Sequence, residues 1–155
     1  MTHFGDRLTE VNRRTATPLC MGIDPHISMI PTIFGSVQDG AASDTAIRAI
    51  DDFSMACLEQ AIGNVAAIKP QAAFFEQQGP AGMKILQNLG RAAIDAGLLV
   101  IMDAKRGDIG STSTAYAAGW IGHDAPFPSD ALTVNPWLGI DLSLIHISEP
   151  TRRRG

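Results

Sequence analysis

Residues 98–112 read LLVIMDAKRGDIGST, five apolar residues running directly into Asp103, Lys105, Arg106 and Asp108. An uninterrupted apolar run of strand length that stops at a cluster of charge is the pattern of a strand buried on both faces, with the charges at its C-terminal end. Neighbouring segments fit the same scheme. Before it, GPAGMKILQNLGRAAIDAG places Leu86, Leu89 and Ala93 on one helical face, and VAAIKP is a second short apolar strand. Further upstream, SDTAIRAIDDFSMACLEQAIGN aligns Ile47, Ile50, Cys57, Leu58 and Ala61, with Ser43 or Asp44 as N-cap and Gly63 as terminator. PLCMGIDP is a first strand closed by Asp-Pro, and LTEVNRRT is an opening helix that stops before Pro18. Downstream, STSTAYAAGWIG predicts another helix and DALTVNP a fourth strand.

Strands alternating with helices mean right-handed βαβ units on a parallel sheet, so the fold class is α/β. After the first strand the chain reads GIDPH where a dinucleotide-binding turn would read GxGxxG. That favours a (β/α)8 TIM barrel over a doubly wound sheet, here truncated to about four βα units. An eight-stranded barrel takes about 250 residues, and this chain has 155.

Composition sets broad limits. With 45% hydrophobic and 18% charged residues and a formal charge of −4, the chain has an ordinary globular profile, with no basic face for nucleic acid. No apolar run approaches the roughly 20 residues of a membrane span, and no signal core is visible. Cys20 and Cys57 match neither a disulfide framework nor a zinc spacing and are expected to pack as reduced thiols, which points to the cytoplasm. His3, His26, His123 and His146 have no ligand spacing, so solvent or capping roles are expected and no metal. Trp120 and Trp137 are expected to pack helix and loop, as are the aromatics of FFE at 74–76.

In a parallel barrel the active site forms where strands run into their C-terminal loops. The predicted strand ends are Asp24, Lys69, Asp103 with Lys105 and then Asp108, and Asn135. The chain has only three lysines, Lys69, Lys84 and Lys105, and two of them fall at these ends. Lys105 and Asp108 at i,i+3 could form an ordinary surface pair worth a few tenths of a kcal/mol. Several strand ends converging on one mouth argue for more, since alternating Asp and Lys there would shift each other's pKa. Such an array suits decarboxylation: an aspartate crowds a substrate carboxylate, and an ammonium stabilises and then protonates the carbanion.

DAKRGDIGSTSTAY, with LCMGIDPH, AIKPQAAFFEQQG and ALTVNPWLG, resembles orotidine 5′-phosphate decarboxylase of the bacterial DAKRGDIG branch, from about Phe4 to Asp141. The resemblance implies a cofactor-free, homodimeric barrel that converts orotidine 5′-phosphate to UMP and CO2 in pyrimidine synthesis. It also implies that Lys105 is the proton donor and that Lys69 and Asp103 are its charged neighbours. Asp108 would reach into the partner's site with Ile109 and Thr112, and Asp24 would hold the ribose hydroxyls. A sister group uses DxKxxD with magnesium on sugar phosphates, but there the second strand ends in a metal-binding glutamate. Here it ends in Lys69.

Residues 1–141 therefore read as the N-terminal half of a decarboxylase barrel. Residues 142–155, LSLIHISEPTRRRG, have no counterpart in that pattern and read as a non-native tail. Arg152, Arg153 and Arg154 lack a supporting basic face and are weak grounds for nucleic-acid binding. The phosphate site of such barrels comes from loops after strands seven and eight, so this chain is expected to carry the catalytic lysine without most substrate contacts. The reading from a different class is a non-catalytic half barrel that pairs its exposed face with another chain, in which case residues 142–155 would have to cover an edge.

Overall fold

The computed structural model describes residues 3–35, 43–135 and 137. The elements run α1 (Phe4–Thr15), β1 (Cys20–Ile23), two 3₁₀ turns (Ile27–Met29 and Thr32–Phe34), α2 (Asp44–Ala61), β2 (Ala67–Pro70), α3 (Ala72–Glu76), α4 (Gly79–Asp95), β3 (Leu99–Arg106), α5 (Gly110–Trp120) and β4 (Ala131–Val134). The four strands form one parallel sheet in the order β1-β2-β3-β4. A doubly wound sheet reverses its strand order at a switch point, whereas sequential order is that of a barrel wall. The expected class is present, with four strands and, among the described residues, three complete βα units, β4 being the last element described.

Local sequence explains the element ends. His3 caps α1, its Nδ1 accepting from the Gly5 N–H at 3.0 Å, and Ser43 caps α2, its hydroxyl accepting from the Ala46 N–H at 3.1 Å. Past the end of α2, Gly63 takes a left-handed φ of 78°. The short helix α3 has no periodic signature. It meets α4 at Gly82, where a Cβ would lie 2.0 Å from the Phe75 carbonyl oxygen, so only glycine permits that approach.

The strands divide their side chains by period 2. Ile68, Val100, Met102 and Ala104 join the core beneath the helices, with Ile50 and Leu58 of α2, Phe75 of α3 and Leu86, Leu89 and Ala93 of α4. Each large side chain fully buried there contributes about 1.5–3 kcal/mol. On the opposite face, Ala67, Leu99 and Ile101 pack with Phe4, Leu8 and Val11 of α1. That helix is fastened across the N-terminal end of the sheet by an ion pair from Arg7 to the buried Asp130, whose other oxygen accepts from the Val100 N–H at 2.7 Å. The C-terminal half of the inner face is left to polar side chains.

Three expectations are corrected at the sheet margins. Among the described residues β1 and β4, read as buried strands, are not: β1 is buried only at Ile23 and β4 is half-buried throughout, each strand pairing with a single neighbour. Cys20, expected to pack, is exposed on β1, while Cys57 is half-buried on α2. Trp120 is buried and stacks on Phe127 at 4.7 Å, but Trp137 is 88% exposed because it stands beyond the open edge strand. His146 and the proposed tail at 142–155 lie outside the described residues.

Open parallel edges present unpaired N–H and C=O groups to other chains. The 155-residue chain is therefore expected to self-associate as its concentration rises. Sedimentation velocity over a concentration series checks this, and a monomer throughout would contradict it.

Candidate active site

At the C-terminal end of the sheet, adjacent strands bring together the side chains singled out by lysine scarcity. Lys69, one residue before the end of β2, donates from Nζ to Asp103 Oδ2 at 2.7 Å; Lys105, two residues beyond Asp103 on β3, donates from Nζ to Oδ1 at 2.6 Å. The Asp103 side chain is 11% exposed, Lys69 35% and Lys105 61%. One nearly buried carboxylate thus holds two ammonium groups that still reach the open mouth.

Two further side chains complete the array, and sequence reasoning did not select either. The Thr133 hydroxyl of β4 donates to Asp103 Oδ1 at 2.8 Å, and the Gln71 amide nitrogen donates to Oδ2 at 3.3 Å. The Gln71 amide oxygen in turn accepts from Lys105 Nζ at 3.4 Å. Both were detectable by alternation, since Gln71 lies two residues after Lys69, and Thr133 two before Asn135, on the same faces. Asn135 itself turns away: its Oδ1 accepts from the Trp137 N–H at 3.2 Å.

Burial works to raise the Asp103 pKa, but hydrogen bonds from Lys105, Lys69 and Thr133, with the Lys69 charge, outweigh it and hold the carboxyl well below its usual range. Lys69 moves upward, chiefly because of its hydrogen bond to Asp103; burial opposes this, and the charges of Asp103 and Asp24 reinforce it. Asp24, at the end of β1, thereby belongs to the same electrostatic neighbourhood. Although Cys20 is exposed as a residue, partial desolvation of its thiol pushes the pKa up, an effect offset in part by the Lys69 charge.

Asp108 stands apart. Its carboxylate accepts from the Ile109 N–H at 2.8 Å just ahead of α5, and Lys105 pairs with Asp103 instead of forming the i,i+3 bridge. Ile109 and Thr112 are exposed at the start of α5. The structure therefore brings together Lys69, Asp103 and Lys105, sets the Asp24 charge near enough to act on Lys69, and leaves Asp108, Ile109 and Thr112 outside the array. His26 shares its Nδ1 with the Ser28 hydroxyl at 2.9 Å and leans on Phe74 at 5.5 Å. Among the described residues, no three His, Cys, Asp or Glu side chains come together as a metal site.

Behind the array, Arg106 points to the helix side. Its guanidinium pairs with Glu76 of α3 and lies over the rings of Trp120 and Tyr116 of α5, at 5.0 and 5.8 Å. Gly107 follows because the loop passes so close to β4 that a Cβ would sit 2.7 Å from the Asn135 carbonyl oxygen.

Residues 17–145 match the profile of the orotidine 5′-phosphate decarboxylase / HUMPS family. This chain belongs to that family. Within the decarboxylase / HUMPS family, orotidine 5′-phosphate decarboxylase of Streptomyces coelicolor is 45% identical over 139 residues, 90% of this chain and 47% of the relative. The Rhodopirellula baltica enzyme of the same name is 41% identical over 145 residues, 91% of this chain and 48% of its own length. Among solved structures, Leishmania donovani OMP decarboxylase superposes with a TM-score of 0.67 at 32% identity, covering 94% of this chain and 49% of that one. A Streptomyces avermitilis crystal structure described under the orotidine 5′-phosphate decarboxylase name gives 0.82 at 41% identity, covering 94% and 48%. The chain spans about half the length of the relatives it matches.

The signs of the two shifts fix a pH window. Asp103, with a depressed pKa, stabilises the fold fully above the unfolded value of about 3.9 and loses that contribution as pH falls through its folded value. Lys69, with a raised pKa, contributes fully below about 10.4 and loses it as pH rises through its folded value. Asp103→Asn is expected to cost about 1–2 kcal/mol at neutral pH, a modest figure because both lysines reach solvent. That cost should shrink in strong acid. Denaturant titrations of both proteins across pH check this, and a cost unchanged in acid would contradict it.

Proposed function

We propose that this chain supplies the charged half of an orotidine 5′-phosphate decarboxylase site, with Lys105 as the proton donor. The observation that carries the reading is the Asp103 carboxylate fixed between Lys69 Nζ and Lys105 Nζ at 2.7 and 2.6 Å on neighbouring strand ends. The substrate carboxylate seats against this array. As the bond from the pyrimidine carbon to the carboxylate breaks, CO2 leaves and the electron pair stays on the ring carbon. The Lys105 ammonium stabilises that carbanion and then transfers a proton from Nζ to it, leaving a neutral amine. Asp103 and Lys69 hold the donor charged and in place beforehand, so little reorganisation is needed when charge develops.

Asp24, whose charge acts on Lys69, is read as the ligand of the ribose hydroxyls. Asp108, Ile109 and Thr112 are read as contributions to a partner's site in a homodimer, which their position outside the array supports. The product, UMP, places the enzyme in pyrimidine synthesis, and a cytoplasmic setting suits that role. Among the described residues no helix is long and apolar enough to cross a membrane. The magnesium-dependent alternative is disfavoured by the donor set, since a cation at Asp103 would have to displace two ammonium groups. No cofactor enters the proposed reaction.

Phosphate sites in such barrels lie after strands seven and eight. The four strands described here, three of them followed by helices, are read as leaving that contact to the remainder of the barrel. Remote phosphate binding is spent in the transition state, so without it turnover falls as well as affinity.

The test is to join this chain to the remaining half of the Streptomyces coelicolor relative and assay decarboxylation. Lys105→Ala is expected to lower kcat by about 10²–10⁴-fold. A variant within tenfold of its parent would overturn the role of Lys105. Residues 1–155 alone should bind UMP weakly by calorimetry, and tight binding would overturn the division of labour between the halves.

A further inference from the structure

We infer that Thr133 is a positioning residue, whose single hydroxyl fixes both the Asp103 carboxylate and the backbone of Lys105. The inference rests on the reading of Asp103 and Lys105 as reacting groups, but its geometry stands independently. Between Met102 and Arg106 the pairing of β3 with β4 is interrupted. Asp103, Ala104 and Lys105 bulge out opposite Thr133 alone, and register resumes at Arg106 with Val134. A bulge removes backbone groups from the ladder, and each needs another partner.

Thr133 provides that partner for Lys105. The Lys105 N–H donates to the Thr133 hydroxyl oxygen at 3.0 Å, and the same hydroxyl donates its O–H to Asp103 Oδ1 at 2.8 Å. Acceptor and donor roles are both used, so the oxygen cannot rotate without breaking one bond. Lys105 itself lies in left-handed backbone with a φ of 49°, a conformation that glycine adopts freely and lysine does not. That backbone brings Lys105 Nζ back to Asp103 Oδ1, the oxygen Thr133 also holds. One hydroxyl therefore ties down the strained peptide, the carboxylate and, through them, the ammonium.

Valine has the shape of threonine without the hydroxyl, whereas serine keeps the hydroxyl. The chain has only three lysines, so selective 15N-lysine labelling yields three backbone amides, with Lys69 and Lys84 as internal controls. In Thr133→Val the Lys105 amide is expected to exchange with solvent about tenfold faster while Lys69 and Lys84 hold their rates. The Asp103 side-chain carboxyl 13C resonance is expected to move in the same variant. Thr133→Ser should restore both signals to near their original values.

A Lys105 rate unchanged in Thr133→Val would overturn the inference, as would an unmoved Asp103 resonance. Loss of protection at all three lysines together would also overturn it, because Thr133 would then serve the edge strand in general. Should Thr133→Val fail to fold, Thr133→Ser decides by itself, since behaviour far from the parent at Lys105 overturns the inference. No turnover enters these measurements. Failure of the decarboxylase reading would therefore show in the assay of the joined barrel, and failure of this inference in the spectra.

Discussion

A single carboxylate organises this structure. Asp103 is nearly buried, and burial of an unpaired charge costs several kcal/mol, so it is tolerable only with partners on both oxygens. Those partners come from three strands: Lys69 from β2, Lys105 from its own strand, and Thr133 from β4. Each strand must therefore end at a matching height. The sequential parallel order makes that possible, because every C-terminal end faces the same way. Charge satisfaction and sheet register are one constraint in this region.

Period 2 does the sorting that keeps this charge out of the core. Along β3, Val100, Met102 and Ala104 go to the helices, while Leu99 and Ile101 meet α1 on the other face. A single-residue slip would exchange these sets and bury the lysines among Phe75, Leu86 and Leu89. With α1 fastened across the N-terminal end through Arg7 and Asp130, the inner face is apolar below and charged above.

Much of this was legible in the sequence. Long helices with clear periodicity and a strong cap, such as α2 with Ser43 and α4 with Leu86, Leu89 and Ala93, emerged from pattern alone. The array was legible because lysine is scarce and two of the three sit where apolar runs end. The extent of β3 was not, because the apolar pattern ends at Asp103, whereas the strand runs on through Arg106. The helix α3 was missed since five residues carry no period. Alternation could have put Thr133 on the charged face, but its role depends on a bulge, which is a property of two strands together. Cys20 and Trp137 were misjudged for one reason: apolar character predicts burial only where neighbouring elements supply a cover, and both stand at the sheet margins.

The guanidinium of Arg106 has a wider consequence. It is clasped by Glu76 of α3 and by the rings of Tyr116 and Trp120 of α5, one peptide away from Lys105. Back and front of the strand end are therefore mechanically joined, with a rivet on the helix side and the ammonium on the mouth side. Arg106 thus ties the end of β3 to α5 through its ring contacts, in addition to the link along the chain through residues 107–109. The rim formed by Ile109 and Thr112 opens that same helix. The rim and the end of β3 therefore share one anchor, the Arg106 guanidinium.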